Sequence, residues 1–358
     1  MAKIKPKIFG FGSYVGTTGY NNHTRDFFRK LSKYCKLKVR NFTVGESWGG
    51  FNGEPHNDEK YINNLDKKLL VEQSLWDKTE NLSNHSIYSN YPNDFNHNIN
   101  LILAEVDHHY FYQNYKGPKI GYTVWETTKY PDSFFDRLKY CDQVWVPSNW
   151  QRDCSIKQGL DPDKVKVVPE AVDGNIFYPN EKVTLPEYED NRFKFLVFGR
   201  WDYRKSTKEI IEAFLSEFRK GEPVDLVLSV DNLFAKDKLG DTENRIKHYN
   251  LEDPRLKIKH FPTREEYIKY LQKGHVFLSC ARSEGWNLPL IEAMACGTPS
   301  IYSNCSAQLE FAKGKGLPVN IKGKIQAMKG EHTAYSQSEL SGEFYEPDFD
   351  HLKRVMRD

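Results

Sequence analysis

No run of eighteen apolar residues occurs anywhere in this 358-residue chain, so no stretch is suited to a membrane-spanning helix. The opening residues MAKIKPKIFGFG carry charge but lack the apolar core of a secretory signal. Cysteine is scarce and scattered: the six, at positions 35, 141, 154, 280, 296 and 305, form no C-x-x-C pair. That spacing argues against a disulfide framework or a cysteine zinc site and fits reduced thiols in a cytoplasm. The Asn-x-Ser/Thr matches at Asn22, Asn41, Asn81, Asn84 and Asn304 then carry no glycosylation argument. Neither sign of charge dominates, the net being +2. The first forty residues are nonetheless lopsided, with Lys3, Lys5, Lys7, Arg25, Arg29, Lys30, Lys33, Lys36, Lys38 and Arg40 against Asp26. Such an end suits phosphates, anionic lipid or nucleic acid, and equally a solvated basic surface.

Apolar residues at 39% and aromatics at 14% are enough for sizeable cores, and the length argues for two domains. Apolar runs predict strands at 7–12 and 37–44, with a helix from about Asn21 whose face is Phe27, Phe28, Leu31, Tyr34 and Cys35. Residues 45–100 are rich in Asn, Gly and acids and read as an elaborated region of loops with one helical segment at 61–76. Strands are then expected at 99–106, 119–125, 143–146 and 165–168, with helices at 133–140 and 148–158. The Gly- and Pro-containing stretch from Val172 breaks the rhythm, which divides the chain into 1–172, a linker 173–191, and 192–358. A second series follows, with strands at 193–198, 224–230, 256–259 and 276–279 and helices at 206–218, 244–249 and 264–272. Strands alternating with helices in both halves predict two Rossmann-like doubly wound parallel-sheet domains facing a ligand cleft.

The chemistry concentrates in three places. Gly10-x-Gly12-x-x-x-Gly16 resembles a loose dinucleotide fingerprint, a weak signal alone. Arg40, where an NAD enzyme would carry an acid, leaves an NADP enzyme open, and glycines there also let a neighbouring element approach. Secondly, Gly199-Arg200 ends a strand, and Lys205 follows just before a helix. Cations beside a glycine at a helix start make a diphosphate site, or an ordinary basic turn. Thirdly, SCARSEGWNLPLIEAMACGTPSIYS reads as strand, loop, helix and strand, with Pro289 in the first helical turn and Gly297 at its end. Glu284 in the loop and Glu292 on the helix lie eight residues apart, on neighbouring walls of one pocket. Carboxylates there suit sugar or ribose hydroxyls, or one is a cap and the other a surface acid. Asp161-Pro162-Asp163 is a formal metal-site pattern read as turn chemistry, and Asp107-His108-His109 lacks further ligands.

SEGWNLPLIEAMACGTPSI resembles the E-x7-E signature of retaining glycosyltransferases of family 4, which have the GT-B fold. FGRWDYRKSTKEIIEAF, VVPEAVDGNIFYP and VWVPSNWQRD are similar to further segments of that family, so the resemblance covers most of the chain outside 45–100. It implies that Gly199, Arg200 and Lys205 hold a donor diphosphate and that Glu292 binds the nucleotide ribose. Glu284 would contact the transferred sugar, with Gly285, Trp286, Asn287 and Leu288 orienting donor and phosphate. Gly16 and Gly19 would belong to the first-domain loop facing donor and acceptor. The implied reaction moves a sugar, with retention, from a UDP- or GDP-type donor to a sugar, lipid-linked or protein-linked acceptor. It uses no cofactor, metal or nucleic acid, in a cytoplasm and with room for peripheral membrane contact.

Two departures stand out. Asn287 occupies a position where the family has glycine. Where many members carry a strand-end His near the sugar, this chain has Gly121 to Thr127, and Glu126 is the candidate polar group on the acceptor side. The chain also stops at Asp358, where the family normally continues into helices that cross back to the first domain; a truncated piece, part of a larger protein and a naturally short form are the open readings. A nucleotide-sugar epimerase or hydrolase and a non-catalytic nucleotide-sugar-binding module remain alternatives.

Overall fold

Strands of a parallel sheet covered on both faces must be apolar almost throughout, and the central strands here are. The computed structural model describes residues 5–14, 19–41, 63–70, 98–106, 109, 117–188, 190–232, 238–327 and 341–358. These fall into two units. The first comprises Met1–Trp125, Pro131–Pro147 and Arg152–Val168; the second comprises Glu126–Tyr130, Ser148–Gln151 and Pro169–Asp358.

In the first unit, β1 (Lys7–Gly12), β2 (Lys36–Asn41), β3 (Ile99–Leu103), β4 (Lys119–Tyr122), β5 (Gln143–Val146) and β6 (Val165–Val167) form one parallel sheet in the order β2-β1-β3-β4-β5-β6. Helix α1 (Gly19–Leu31) begins two residues before the expected Asn21. It packs closely on β1 because two glycines permit it: a Cβ on Gly10 would lie 2.8 Å from the Phe28 ring, and one on Gly12 would lie 2.6 Å from Thr24. Two members of the formal fingerprint therefore serve helix–strand packing, while Gly16 lies outside the described residues. Phe28 and Cys35 are buried as expected, but Tyr34 is 73% exposed, because the helix ends at Leu31 and its face goes no further. Within the predicted 61–76 segment the described helix is α2 (Asn64–Leu69). The remainder of that segment, together with 42–44, Asp107 and His108, lies outside the described residues. Asp66 on α2 accepts from Arg29 Nε at 2.9 Å and Nη2 at 2.7 Å, and from the Tyr14 hydroxyl, tying α2 to α1 and to the end of β1. Helices α3 (Asp132–Lys139) and α4 (Asn149–Gln158), with residues 149–151 of α4 counting with the second unit, complete this series.

In the second unit, β7 (Phe193–Phe198), β8 (Val224–Ser229), β9 (Leu256–Ile258), β10 (Val276–Ser279), β11 (Ser300–Ser303) and β12 (Leu317–Val319) form a parallel sheet in the order β12-β11-β10-β7-β8-β9. Its helices are α5 (Thr207–Glu217), α6 (Thr242–His248), α7 (Arg264–Lys273), α8 (Leu288–Ala295), α9 (Leu309–Ala312) and α10 (Phe349–Arg357), and β13 (Ile321–Gln326) pairs antiparallel with β14 (Glu343–Pro347). Alternation along β7 decides the two layers. Phe195 and Val197 join Ile211, Phe214, Leu352 and Met356 on one face, while Leu196 and Phe198 join Phe177, Leu271, Phe277 and Leu290 on the other. Phe177, from the stretch expected to be linker, is thus part of this core. Among the described residues no helix is long and apolar enough to cross a membrane.

Candidate functional site

The strand order of the second sheet reverses between β7 and β10, and loops beyond such a reversal form a ligand crevice. Residues 199–206 follow β7 and residues 280–287 follow β10, so the topology itself brings the loop of Arg200 and Lys205 beside the loop of Glu284. Backbone and side-chain bonds zip these loops together. The Arg282 amide donates to Arg204 O at 2.7 Å, and Arg204 Nη1 donates to Ser283 O at 2.7 Å. Arg282, itself buried, donates from Nη1 to Tyr203 O at 2.6 Å and from Nη2 to Glu209 at 2.9 Å. Its Nε donates to Glu346 at 2.9 Å, fixing both loops to α5 and β14.

Glu284 is 4% exposed and fully paired. Lys205 Nζ donates to Oε1 at 2.5 Å and Arg204 Nη1 to Oε2 at 2.7 Å. Its backbone is pinned as well, the amide donating to Ser306 Oγ at 3.0 Å and the carbonyl accepting from Ala307 N at 3.2 Å. Burial alone would push the Glu284 carboxyl upward, but the Arg204 and Lys205 charges outweigh it and hold the group below the usual carboxylate range. Burial pulls the Lys205 ammonium downward, against the attraction of Glu284. Arg200 pairs instead with Asp202, Nε to Oδ2 at 2.7 Å, and Asp202 accepts the Lys205 amide at 2.8 Å, shaping the turn into α5. Gly199 sits at φ +140°, a conformation that a side chain would strain.

Arg204 stands in the sequence as one more cation of the turn between Gly199 and the helix, with no role of its own. It is 4% exposed, and besides Glu284 it faces Glu126, Nη2 to Oε1 at 3.3 Å. Burial works against its charge, and the carboxylates of Glu126, Glu284 and Asp202 more than compensate, so its pKa is raised. Glu126 reaches this place because the stretch that follows it is bonded to the start of β14. Thr127 Oγ1 donates to Ser341 O at 2.6 Å, and the Glu343 amide donates to Thr128 Oγ1 at 2.8 Å. Burial raises the Glu126 pKa, with Arg204 opposing. An arginine next to the expected lysine was the available signal, but only its partners more than seventy residues away in the chain give it meaning.

The loop after β10 also departs from expectation in detail. Asn287 adopts φ 93°, ψ 68° ahead of α8, a conformation that asparagine tolerates better than most side chains. Its side-chain amide donates to Ser279 Oγ at 2.8 Å and to Gln308 Oε1 at 2.7 Å. The side chain is thereby engaged with the protein, and what this position adds to the loop is its conformation. Trp286 is buried against Phe311, with ring centroids 5.2 Å apart, while Gly285 is buried and Leu288 opens the helix. Glu292, on α8, accepts from the Tyr267 hydroxyl at 2.7 Å, and Arg264 Nη2 lies 3.9 Å from its other oxygen. Gly19 opens α1 in the first unit, apart from this set of bonds. Asp161 accepts the Asp163 amide at 2.9 Å, the turn geometry expected of that pair. His109 is buried, its Nε2 3.1 Å from Ala104 O.

Residues 181–320, which hold all of these second-sheet loops, match the family model of glycosyl transferases group 1. Mannosylfructose-phosphate synthase of Agrobacterium fabrum is 26% identical over 46% of this chain and 38% of its own length. The GDP-mannose:cellobiosyl-diphosphopolyprenol alpha-mannosyltransferase of Xanthomonas oryzae is 24% identical over 46% of this chain and 42% of its own. The chain therefore spans well under half the length of these relatives in the matched stretches. Among solved structures, sucrose-phosphate synthase from Thermosynechococcus elongatus superposes with a TM-score of 0.67 at 16% identity, covering 99% of this chain and 89% of that one. Anabaena HepE in complex with UDP-glucose superposes with a TM-score of 0.65 at 15% identity, covering 88% and 85%. The fold is thus GT-B: two Rossmann-like α/β domains, each built on a six-stranded parallel sheet.

Proposed function

We propose that the chain is a glycosyltransferase that moves a sugar from a nucleotide diphosphate sugar to an acceptor hydroxyl with retention of configuration. The observation that carries this reading is the buried Glu284 carboxylate held between Lys205 and Arg204 at the strand-order reversal, inside the segment that matches the family model. In this reading Lys205 and Arg200 turn to the diphosphate, and Arg204 keeps Glu284 ionised when Lys205 is shared. Glu284 then accepts from hydroxyls of the transferred sugar, and Glu292 from those of the ribose. The bond between the anomeric carbon and the departing phosphate oxygen breaks with its electron pair staying on phosphate. The acceptor oxygen bonds to the same face of that carbon, and its proton passes to the phosphate oxygen. Preorganised cations stabilise the growing negative charge on the leaving diphosphate, which is the largest demand of such a step, so the proposed reaction is metal-independent.

Incubation with a panel of UDP-, GDP- and ADP-sugars and sugar or lipid-linked acceptors tests the reading by nucleotide release and product analysis. Transfer that falls at least 100-fold in Glu284→Gln and Lys205→Ala, with both variants folded, is the expected result. Unchanged turnover in both variants would overturn the site assignment.

A further inference from the structure

A guanidinium is a rigid planar fork, so its orientation is fixed once two of its nitrogens are held. Arg204 Nη1 donates to Glu284 Oε2 and to the Ser283 carbonyl, both at 2.7 Å, which uses both hydrogens of that nitrogen. Its Nε is buried without a partner, so that edge of the group holds nothing. The second anchor is Glu126, whose Oε1 lies 3.3 Å from Nη2. Among the described residues Arg204 is the one cation paired with Glu126.

Glu126 is itself placed by β14. The stretch Glu126–Tyr130 counts with the second unit and is bonded to the start of that strand. The Thr128 amide donates to Glu343 O at 3.3 Å, and the Glu343 amide returns to Thr128 Oγ1 at 2.8 Å. Gly342 lets the two stretches come this close. At its φ of +85°, a Cβ would lie 2.6 Å from the Lys129 nitrogen and 2.9 Å from Thr128 Oγ1. Further along, the same strand holds the other loop: the Tyr345 amide donates to Arg282 O at 2.9 Å, and Glu346 accepts Arg282 Nε at 2.9 Å. Glu343 and Tyr345 are about 7 Å apart along a strand. One strand therefore seats both the stretch of Glu126 and the loop of Glu284, and Arg204 bridges the two carboxylates.

We propose that Glu126 is a positioning residue of the transfer reaction: seated on β14, it fixes the plane of Arg204 and so the direction in which Glu284 offers its carboxylate to the transferred sugar. This role rests on the donor-binding reading above, and in it Glu126 touches neither donor nor acceptor. Its weight comes from what binding does to Glu284, which Lys205 holds at Oε1 and Arg204 at Oε2. Once Lys205 is shared with the diphosphate, Arg204 alone orients the group. A displacement of about 1 Å at such a group costs about 100-fold in rate, while the affinity for either substrate changes little.

Nucleotide release from UDP-glucose, GDP-mannose and ADP-glucose, with and without sugar and lipid-linked acceptors, tests this on wild type, Glu126→Ala, Glu126→Gln, Gly342→Ala and Thr128→Val, each checked for folding by circular dichroism. Glu126→Ala should lower kcat about 10- to 100-fold, with the KM of donor and of acceptor each within about threefold of wild type. Glu126→Gln keeps an oxygen that accepts from Nη2, so it should recover most of that loss. Gly342→Ala pushes the stretch off β14 and should reproduce the kcat effect from outside the site. Thr128→Val removes one bond and keeps the shape, so it should lower kcat to a smaller extent and serves where Gly342→Ala does not fold.

A Glu126→Ala protein that loses acceptor affinity alone, with acceptor-free nucleotide release unchanged, makes Glu126 an acceptor contact and overturns the inference. A wild-type kcat in folded Glu126→Ala overturns it too, as does a Glu126→Gln protein no more active than Glu126→Ala. Wild-type kcat in both Gly342→Ala and Thr128→Val overturns the part assigned to β14. All of these leave the donor reading intact. A folded wild type that releases nucleotide from none of the three compounds, with or without acceptor, overturns both.

Discussion

A carboxylate removed from water is stable only where charge and hydrogen bonds replace the lost solvent, and Glu284 has both a lysine and an arginine for the purpose. Arg204 is the more enclosed of the two, and it also faces Glu126 and the Ser283 carbonyl. Arg204→Ala leaves Glu284 with one cation and Glu126 with a void. Urea denaturation at pH 7 should show a loss of about 3–5 kcal/mol, the cost of breaking a buried pair from one side. The pH dependence has a definite sign. Glu284 is depressed in the folded state, so its contribution is present above the ordinary carboxylate range and is lost as pH falls through the folded value. The gap between wild type and Arg204→Ala should accordingly narrow between pH 5 and pH 3. An equal gap at both ends would mean that Arg204 acts through packing rather than charge.

Among the elements, the loop from β10 to α8 shows how a local departure is accommodated. Most side chains at φ 93° are strained, and Asn287 offsets this by bonding Ser279 and Gln308. Asn287→Ala loses both bonds and keeps the strain, whereas Asn287→Gly loses the bonds and relieves it. Denaturant titration should therefore find the alanine variant less stable than the glycine variant by about 1–2 kcal/mol. The reverse order would mean that the backbone does not hold this conformation in solution. The elements most legible from sequence were strands with continuous apolar runs: β1, β5, β7 and β10 occupy the residues expected. Helix α1 began earlier and its buried face stopped sooner, because the pattern of Phe27, Phe28 and Leu31 continues through Tyr34 while the backbone turns after Leu31.

At the scale of the whole molecule, two six-stranded parallel sheets each reverse their strand order once, the first between β1 and β3 and the second between β10 and β7, which places the loops after β7 and β10 side by side. Function at that level depends on mass action: a ligand that binds only the folded state stabilises it. If a nucleotide sugar is the donor, adding it at one hundred times its dissociation constant should raise unfolding free energy by about 2.7 kcal/mol. A thermal-shift series with UDP-, GDP- and ADP-sugars measures this, and Glu284→Gln should reduce the shift. No shift with any of them, in a protein that unfolds cooperatively, would count against the proposed donor class.

The sequence by itself determined the α/β alternation, the two-sheet architecture and the identity of the cations and acids flanking the glycine-rich turns. Those depend on local periodicity and on short-range backbone chemistry, both written in neighbouring residues. Only the tertiary structure decided which charges meet. Lys205 rests on Glu284, Arg200 on its near neighbour Asp202, and Arg204 on Glu126 and Glu284. The reason is physical: a side chain's charge state is set by the dielectric and the charges around it, and those are assembled by strand order and long-range bonds that no local spacing encodes.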